Sequence, residues 1–374
     1  MLDGIKSKSI LKIIFRFIEK NKYLSVIKIN KKLQERLDIT LDNYKEYYEQ
    51  IEIEIIPKKT NEKINKFIND YSLNYKAYFN SNLVEINRNY FEDKEDIFKI
   101  RVLINIKDKH NLVNLFSSCE CIQKIKFIHC AQSNLTNINC MFLKCVSLIS
   151  VDLSKLKLDS VTDVSYLFTY CFSLKEIIFP KNELKNLINM EFMFHSCKSL
   201  EKIDLSNFNT SNVKNMHGLF SKCSSLQDII NISNLDTHNV TDMEFMFQDC
   251  SLLKELDLLK FNTENVVTMV GMFSGCTSLR LLKVDNFNTK NVYAMTNMFS
   301  ECSSLETLDL VNWKTNRLNY MSQMFFKCSS LKDLDISYLN LKNVKEMAEA
   351  FRFCPDILIQ KVKKQNKDLK ESAF

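Results

Sequence analysis

Apolar residues recur along most of this chain with one fixed period. A cysteine returns every 26 residues, apart from one interval of 27 before Cys250, and a phenylalanine stands three residues before each cysteine. A period of this length sustained over ten copies is typical of a solenoid, in which each repeat packs only on its neighbours. The two columns are Cys119, Cys145, Cys171, Cys197, Cys223, Cys250, Cys276, Cys302, Cys328 and Cys354, and Phe116, Phe142, Phe168, Phe194, Phe220, Phe247, Phe273, Phe299, Phe325 and Phe351.

The apolar pattern changes within each repeat. Val240, Met243 and Met246 precede Phe247 and Cys250 with steps of three, three, one and three, which describe one face of a helix. After each cysteine the period falls to two over a few residues, which indicates a short strand. We therefore predict an α/β repeat solenoid, the leucine-rich-repeat horseshoe, with short parallel strands on the concave face and short helices on the convex face.

The repeat motif resembles a known family. The run TDMEFMFQDCSLLKELDLLKFNTENVVTMVGMFSGCTSLRLL, residues 241–282, is similar to the BspA-like leucine-rich repeat, and the resemblance covers about two thirds of the chain. That family occurs on bacterial and protist surfaces and in mycoplasma lipoproteins. The resemblance implies a right-handed solenoid used for adhesion or other protein contacts, without enzymatic activity.

Charge and composition divide the chain into three parts. Residues 1–82 are predicted to be a mainly helical cap that covers the end of a solenoid spanning residues 83–360, with residues 83–106 as a degenerate first repeat. Within the cap, residues 1–50 weakly resemble an F-box, without its usual Leu-Pro start. Residues 51–56 (IEIEII) alternate like a strand that Pro57 ends. Residues 361–374 read as a basic C-terminal tail of charge +3, while residues 37–360 carry about −4. This distribution does not favour a nucleic-acid groove, which would require Lys and Arg along one face.

Turns in this chain need residues other than the usual ones, since it has only four glycines and three prolines. Asn is abundant and tolerates left-handed backbone. A recurring Thr, followed two residues later by Asn, suits the N-cap of a helix, and stacked Asn amides could hydrogen-bond between repeats. The Thr column is Thr210, Thr237, Thr263, Thr289 and Thr315, and the Asn column is Asn212, Asn239, Asn265 and Asn291.

The cysteines allow three interpretations. As a ladder among Phe, Met and Leu they fill the core as small buried hydrophobes. Adjacent repeats would also lie close enough for disulfides, which would require an oxidising compartment. Cys121, His129, Cys130 and Cys140 suggest zinc, but their spacing matches no CxxC pair. We expect core packing for the ladder and for Cys130, and no metal or cofactor.

The polar positions of the predicted strands indicate where a partner would bind. Because the leucines of each strand point inward, the residues between and after them point outward onto the concave face. This predicts either a solvated acidic face or a recognition surface that favours a basic partner. The candidates are Asp152, Asp204, Ser206, Asp257, Lys283, Asp285, Asp309, Asp335 and Ser337.

These observations favour a non-enzymatic protein-interaction module. No HExxH motif, Gly-rich phosphate loop or grouped nucleophile and base is present, so we expect no catalysis and no small-molecule substrate. The alternatives are an F-box-like substrate adaptor for a ubiquitin ligase and a cell-surface adhesin. No signal peptide and no run of ~20 apolar residues is recognised, which favours an intracellular, cytoplasmic location without membrane insertion.

Overall fold

The computed structural model describes residues 30–38, 49–60, 63–69, 74–80, 82, 84–106, 111–130 and 135–374. Most of these residues form a β-solenoid of leucine-rich repeats. Its elements are α1 (Lys31–Leu37), β1 (Gln50–Pro57), β2 (Ile64–Lys66), β3 (Tyr75–Phe79), β4 (Tyr90–Glu92), β5 (Ile100–Asn105), β6 (Ile122–Cys130), β7 (Ser150–Asp152), β8 (Glu176–Ile178), β9 (Lys202–Asp204), β10 (Asp228–Ile230), β11 (Glu255–Asp257), β12 (Leu281–Lys283), β13 (Thr307–Leu308), β14 (Asp333–Leu334) and α2 (Asp356–Gln365). Two single 3₁₀ turns cover Ile232–Asn234 and Glu371–Ala373.

The described N-terminal residues are mainly strands, so the mainly helical cap predicted for residues 1–82 is not confirmed. Strand β1 pairs antiparallel with both β5 and β6, so the six-stranded sheet runs β3-β5-β1-β6-β7-β8. The alternation in β1 explains this, because Ile51, Ile53 and Ile55 are fully buried along one face. On its other face Glu52 pairs with Arg101 of β5 at 2.6 Å. The F-box-like residues 1–29 and 39–48 lie outside the described residues.

A degenerate first repeat at residues 83–106 stays a prediction, and strand β5 in this range differs from the later strands. It runs antiparallel to both of its neighbours, β1 and β3. Parallel pairing between successive repeats of the solenoid, which we call rungs, begins only with β6 and β7. Residues 100–105 therefore belong to an antiparallel module that continues the solenoid's sheet.

The predicted convex helix is replaced by consecutive turns. In the rung around Phe247 every second amide bonds to the next rung: Phe245 N to Val270 O at 2.8 Å, Phe247 N to Met272 O at 2.9 Å and Asp249 N to Ser274 O at 2.7 Å. The amides between them bond three residues back within the same rung. An α-helix would use all of these amides internally, so the inter-rung bonds exclude it. Among residues 111–130 and 135–354 no α-helix is present.

The core confirms the cysteine and phenylalanine columns as buried packing. The Phe rings stack face to face from Phe116 to Phe351 with centroids 5.2–5.8 Å apart. All thirteen cysteines are free thiols and twelve are buried. Nine of the ladder thiols donate to the phenylalanine carbonyl of the preceding rung, as Cys276 Sγ does to Phe247 O at 3.1 Å. The ladder sulfurs therefore form hydrogen bonds between rungs, and they form no disulfide.

The Thr and Asn columns link rungs instead of capping helices. Thr237 Oγ1 donates to Asn262 O at 2.9 Å and accepts from Asn262 N at 2.8 Å. Asn265 Nδ2 donates to His238 O at 2.7 Å on the preceding rung. The expectation of inter-rung Asn bonds is confirmed, with backbone carbonyls as the acceptors. The N-cap interpretation fails because the solenoid turn leaves no helix to cap.

The segment interpreted as a basic tail packs on the last rung. Phe351 N donates to Ala373 O at 2.7 Å, and the Phe374 ring stacks on Phe351 with centroids 5.9 Å apart. Buried Asn366 donates to Ile336 O and Leu339 O. These contacts satisfy polar groups of the last rungs that would otherwise lack an inter-rung partner.

Candidate functional site

The predicted partner-binding carboxylates lie along the strand face, which we define as the outward side chains of β6–β14 and the residues that directly follow each strand. Five of the six candidate aspartates, all except Asp285, accept a hydrogen bond from the amide two residues later, which ends the strand in a tight turn. The acceptor distances are 3.0 Å for Asp152 from Ser154, 2.9 Å for Asp204 from Ser206, 3.1 Å for Asp257 from Leu259, 2.9 Å for Asp309 from Val311 and 2.8 Å for Asp335 from Ser337. These side chains thus have a structural role that the sequence analysis did not assign to them.

Neighbouring rungs partly neutralise the column. Lys283 Nζ lies 2.8 Å from Asp257 Oδ2, and Lys126 Nζ lies 3.4 Å from Asp152 Oδ2. The hydrogen bond from Lys283 lowers the pKa of Asp257, and the same bond raises the pKa of Lys283. Asp204 has no lysine partner among the described residues, and its pKa is lowered by hydrogen bonds from Ser206. The face is therefore a mixture of paired and unpaired carboxylates.

The remaining candidates lie on the same face. Ser206 is exposed, and its hydroxyl bonds to Asp204 and accepts from Asn231 of the next rung at 2.6 Å. Asp285 is half-buried and follows β12, and Ser337 is exposed after β14. All the candidates lie in their strands or shortly after them, and their role in partner binding stays a prediction.

A depression of about 250 Å³ opens in this face between β10 and β11. These strands belong to separate two-stranded sheets and are not paired with each other. The repeat between them is the one that spans 27 residues, and its extra length is accommodated in the 3₁₀ turn Ile232–Asn234. The lining of the depression combines carboxylates with apolar side chains: Gln227, Asp228, Ile229, Ile232, Leu253, Glu255, Leu256, Asp257, Leu281 and Lys283.

A second depression of about 190 Å³ lies where the N-terminal module joins the solenoid. Glu54 and Ile56 of β1 form one wall, and Lys124 and Lys126 of β6 lie beside them. Sequence analysis missed this site, because it did not predict that β1 pairs with β6. The conspicuous IEIEII alternation at residues 51–56 was the available signal.

Cys121, His129, Cys130 and Cys140 are not grouped as ligands among the described residues. Cys121 Sγ donates to Lys66 O at 3.0 Å, and burial raises the pKa of this thiol to about 12. Cys130 is buried in the core, as expected. Within the part of the chain that the structure describes, these residues belong to no cluster of three metal-ligating side chains.

None of the described helices is long and apolar enough to cross a bilayer.

The stacked rungs, inter-rung ladders and open strand face define a leucine-rich-repeat protein of the β-solenoid type. A family model described as "Mycoplasma protein of unknown function, DUF285" matches residues 88–202, 171–280 and 252–364. These matches together span most of the chain, which therefore belongs to the DUF285 family. No curated protein matches it.

Solved leucine-rich-repeat structures resemble it only remotely. The Treponema pallidum leucine-rich-repeat protein is 21% identical, with 49% of this chain and 83% of that one covered and a TM-score of 0.31. A leucine-rich cell surface protein from Faecalibacterium prausnitzii is 16% identical, with 60% and 78% covered and a TM-score of 0.26. A leucine-rich-repeat protein from Bacteroides ovatus is 13% identical, with 68% and 94% covered and a TM-score of 0.21.

Proposed function

We propose that this chain is a non-enzymatic protein-interaction module that binds a partner on its strand face, and that the depression between β10 and β11 is the centre of the binding surface. The observation that carries the proposal is the chemistry of this depression. Unpaired strand edges and exposed apolar side chains meet carboxylates there. Such a mixture of apolar contact area and polar rim is typical of protein-binding surfaces.

The charge of the depression favours a basic partner. Asp228 and Glu255 are exposed at its rim, while Asp257 is already paired with Lys283. Exposed Leu281 and half-buried Ile232 supply apolar area in the same depression. A peptide that combines Lys or Arg with an apolar anchor would satisfy both features.

Selection from a displayed library of random short peptides tests this proposal. Peptides selected on the wild-type protein should carry net positive charge and bind the Asp228→Lys, Glu255→Lys double variant about tenfold more weakly or worse. Asp159→Lys is the matched control, since Asp159 is exposed but lies outside the depression. Failure to select any peptide, or equal binding to the double variant, would contradict the proposal.

The two alternative functions are tested by separate experiments. An F-box-like adaptor should recover a ubiquitin-ligase scaffold in a pull-down, and deletion of residues 1–50 should abolish the recovery. A surface adhesin related to BspA-like proteins should be labelled by a membrane-impermeant reagent on intact cells, whereas an intracellular protein should be protected. Both experiments leave the peptide-binding test of the strand face unaffected.

A further inference from the structure

A cluster of metal-ligating side chains lies away from the strand face, on the column of isolated parallel bridges that joins Asn215, Asp242 and Thr268. His217 Nδ1 lies 3.3 Å from Asp242 Oδ2 and 3.8 Å from Glu244 Oε2. The three ligand atoms all lie within 4.8 Å of one another. The imidazole and the two carboxylates come from successive rungs, so only the stacking of the solenoid brings them together.

Hydrogen bonds fix both carboxylates in place. Asp242 Oδ1 accepts from Glu244 N at 2.8 Å, and Glu244 Oε1 accepts from Thr268 Oγ1 at 2.5 Å. Each carboxylate therefore has one oxygen engaged by the protein and directs the other toward His217. Hydrogen-bonded ligands of this kind are held in one orientation, as metal sites require.

Two aromatic rings fix the imidazole. His217 packs edge-on against Phe192 and Phe245, with ring centroids 4.8 Å and 5.5 Å away. Gly218 makes the first contact possible, because a Cβ there would lie 2.2 Å from Phe192 Cε1. Gly271 stands in the same relation to Phe245, with a Cβ contact of 2.6 Å. Two of the four glycines in the chain thus admit the rings that bracket His217.

We propose that His217, Asp242 and Glu244 form a binding site for a divalent transition-metal ion of the zinc and cobalt class. One imidazole nitrogen with two carboxylate oxygens is a donor set that such ions accept, and two carboxylates neutralise a dication. The side chains of His217, Asp242 and Glu244 are 20%, 32% and 22% exposed, so an ion could enter while water completes its coordination. The oxygens of nearby Glu191 accept from Tyr166 Oη at 2.6 Å and from Asn215 Nδ2 at 3.3 Å. Glu191 therefore adds negative charge without serving as a ligand.

Titration with Co²⁺, followed by visible absorbance and calorimetry, tests the site. We expect the wild-type protein to bind one Co²⁺ per chain with weak bands typical of nitrogen and oxygen ligands. His217→Ala and Glu244→Gln should each weaken binding about tenfold or more. Glu244→Gln keeps an acceptor for Thr268, so it carries the test should His217→Ala fail to fold.

His238→Ala is the matched control. His238 is half-exposed and its Nδ1 lies 2.7 Å from a single carboxylate, that of Asp236. This variant should bind Co²⁺ like the wild type. The proposal is overturned if binding does not saturate, if it shows the intense bands of cobalt–thiolate bonds, or if His217→Ala binds as tightly as the wild type. Each of these results would mean that His217 forms ion pairs with Asp242 and Glu244 and that the three residues bind no metal ion.

Discussion

At the scale of single residues, each column of the repeat has one physical task. The phenylalanines fill the axis of the solenoid, and the cysteines join rungs by thiol–carbonyl hydrogen bonds. Cys276 shows why cysteine suits this position, because its sulfur packs as a small hydrophobe and still donates to Phe247 O. Asp257 illustrates a different task, since one oxygen closes the turn after the strand and the other pairs with Lys283.

Burial should make the thiols almost unreactive in the native protein. Burial raises the pKa of all ten ladder thiols, and that of Cys276 to about 12, while Cys140 is only half-buried. A thiol reagent at neutral pH should therefore react with Cys140 before any other cysteine, and with all thirteen cysteines after unfolding. Cys140→Ser should remove the fast phase. Rapid reaction of several ladder thiols would contradict their burial.

Removing one ring of the Phe column should destabilise the solenoid strongly. Phe273 is fully buried and stacks between Phe247 and Phe299 at 5.8 Å and 5.6 Å. Phe273→Ala should lower the free energy of unfolding by ~3–5 kcal/mol, measured by chemical denaturation. Phe353→Ala is the control, since that ring is 56% exposed and its loss should change stability by under about 1 kcal/mol. Equal effects of the two substitutions would be incompatible with a continuous aromatic axis.

At the scale of elements, the rung is built from turns that are shared between neighbours. Every second amide in the segment before the cysteine bonds to the next rung, so the element has no stability in isolation. The strand that follows is only two or three residues long from β7 onward, because an Asp-closed turn ends most of these strands. Side chains on successive turns are consequently placed in long, regular columns.

One such side chain should make stability depend on pH. His195 packs against Tyr170 and Phe192, its buried Nδ1 has no hydrogen-bond partner, and burial lowers its pKa to about 4. The unfolded chain therefore takes up a proton first, and stability is lost as pH falls from about 6.5 towards about 4.

We expect the wild type to lose about 1 kcal/mol relative to His195→Gln between about pH 7 and pH 5, after allowance for solvent screening. Gln occupies the corresponding place in the next-but-one rung at Gln248, so the substitution suits the repeat. Chemical denaturation at each pH measures the difference, with His238→Gln as an exposed control. Parallel pH profiles for wild type and His195→Gln would show that this imidazole does not lose protons on folding.

At the scale of the whole molecule, stability propagates from rung to rung and both flanks are covered. An antiparallel module extends the sheet before β6, and residues 356–374 pack on the last rung. Because each rung contacts only its neighbours, a covered end prevents fraying that would otherwise spread inward.

Phe374 tests the role of this cover. Its ring stacks on Phe351, whose amide donates to Ala373 O, and the amide of Glu349 donates to Ser372 O at 2.6 Å. Phe374→Ala should accelerate hydrogen exchange at Glu349 and Phe351 while leaving the central rungs protected. Phe353→Ala removes an exposed ring from the same rung and should leave those amides protected. If Phe374→Ala leaves exchange at both amides unchanged, the segment does not stabilise the last rung.

Particular residues show what sequence patterns can predict here. The interval of 26 placed Cys276 and Phe273 in the core correctly, because burial repeats with the chain period. The spacing of Val240, Met243 and Met246 led to the wrong prediction of a helix. Turns closed by hydrogen bonds to the residue three positions earlier bury side chains at nearly the same spacing as a helix does. The IEIEII alternation predicted strand β1, but nothing local identified its partner. The hydrogen bonds that the strand-end aspartates accept from the backbone were not anticipated, and the role of these residues in partner binding stays a prediction.

By itself, the sequence determined the solenoid, its core columns and the outward position of the strand-end aspartates, because all three follow from periodic burial within one chain. The tertiary structure alone decided which amides bond between rungs, how the N-terminal strands extend the sheet, and where the strand ladder opens between β10 and β11. It also decided that His217 meets Asp242 and Glu244. These features depend on contacts between residues one repeat or more apart, and the register of those contacts is set only when the chain folds.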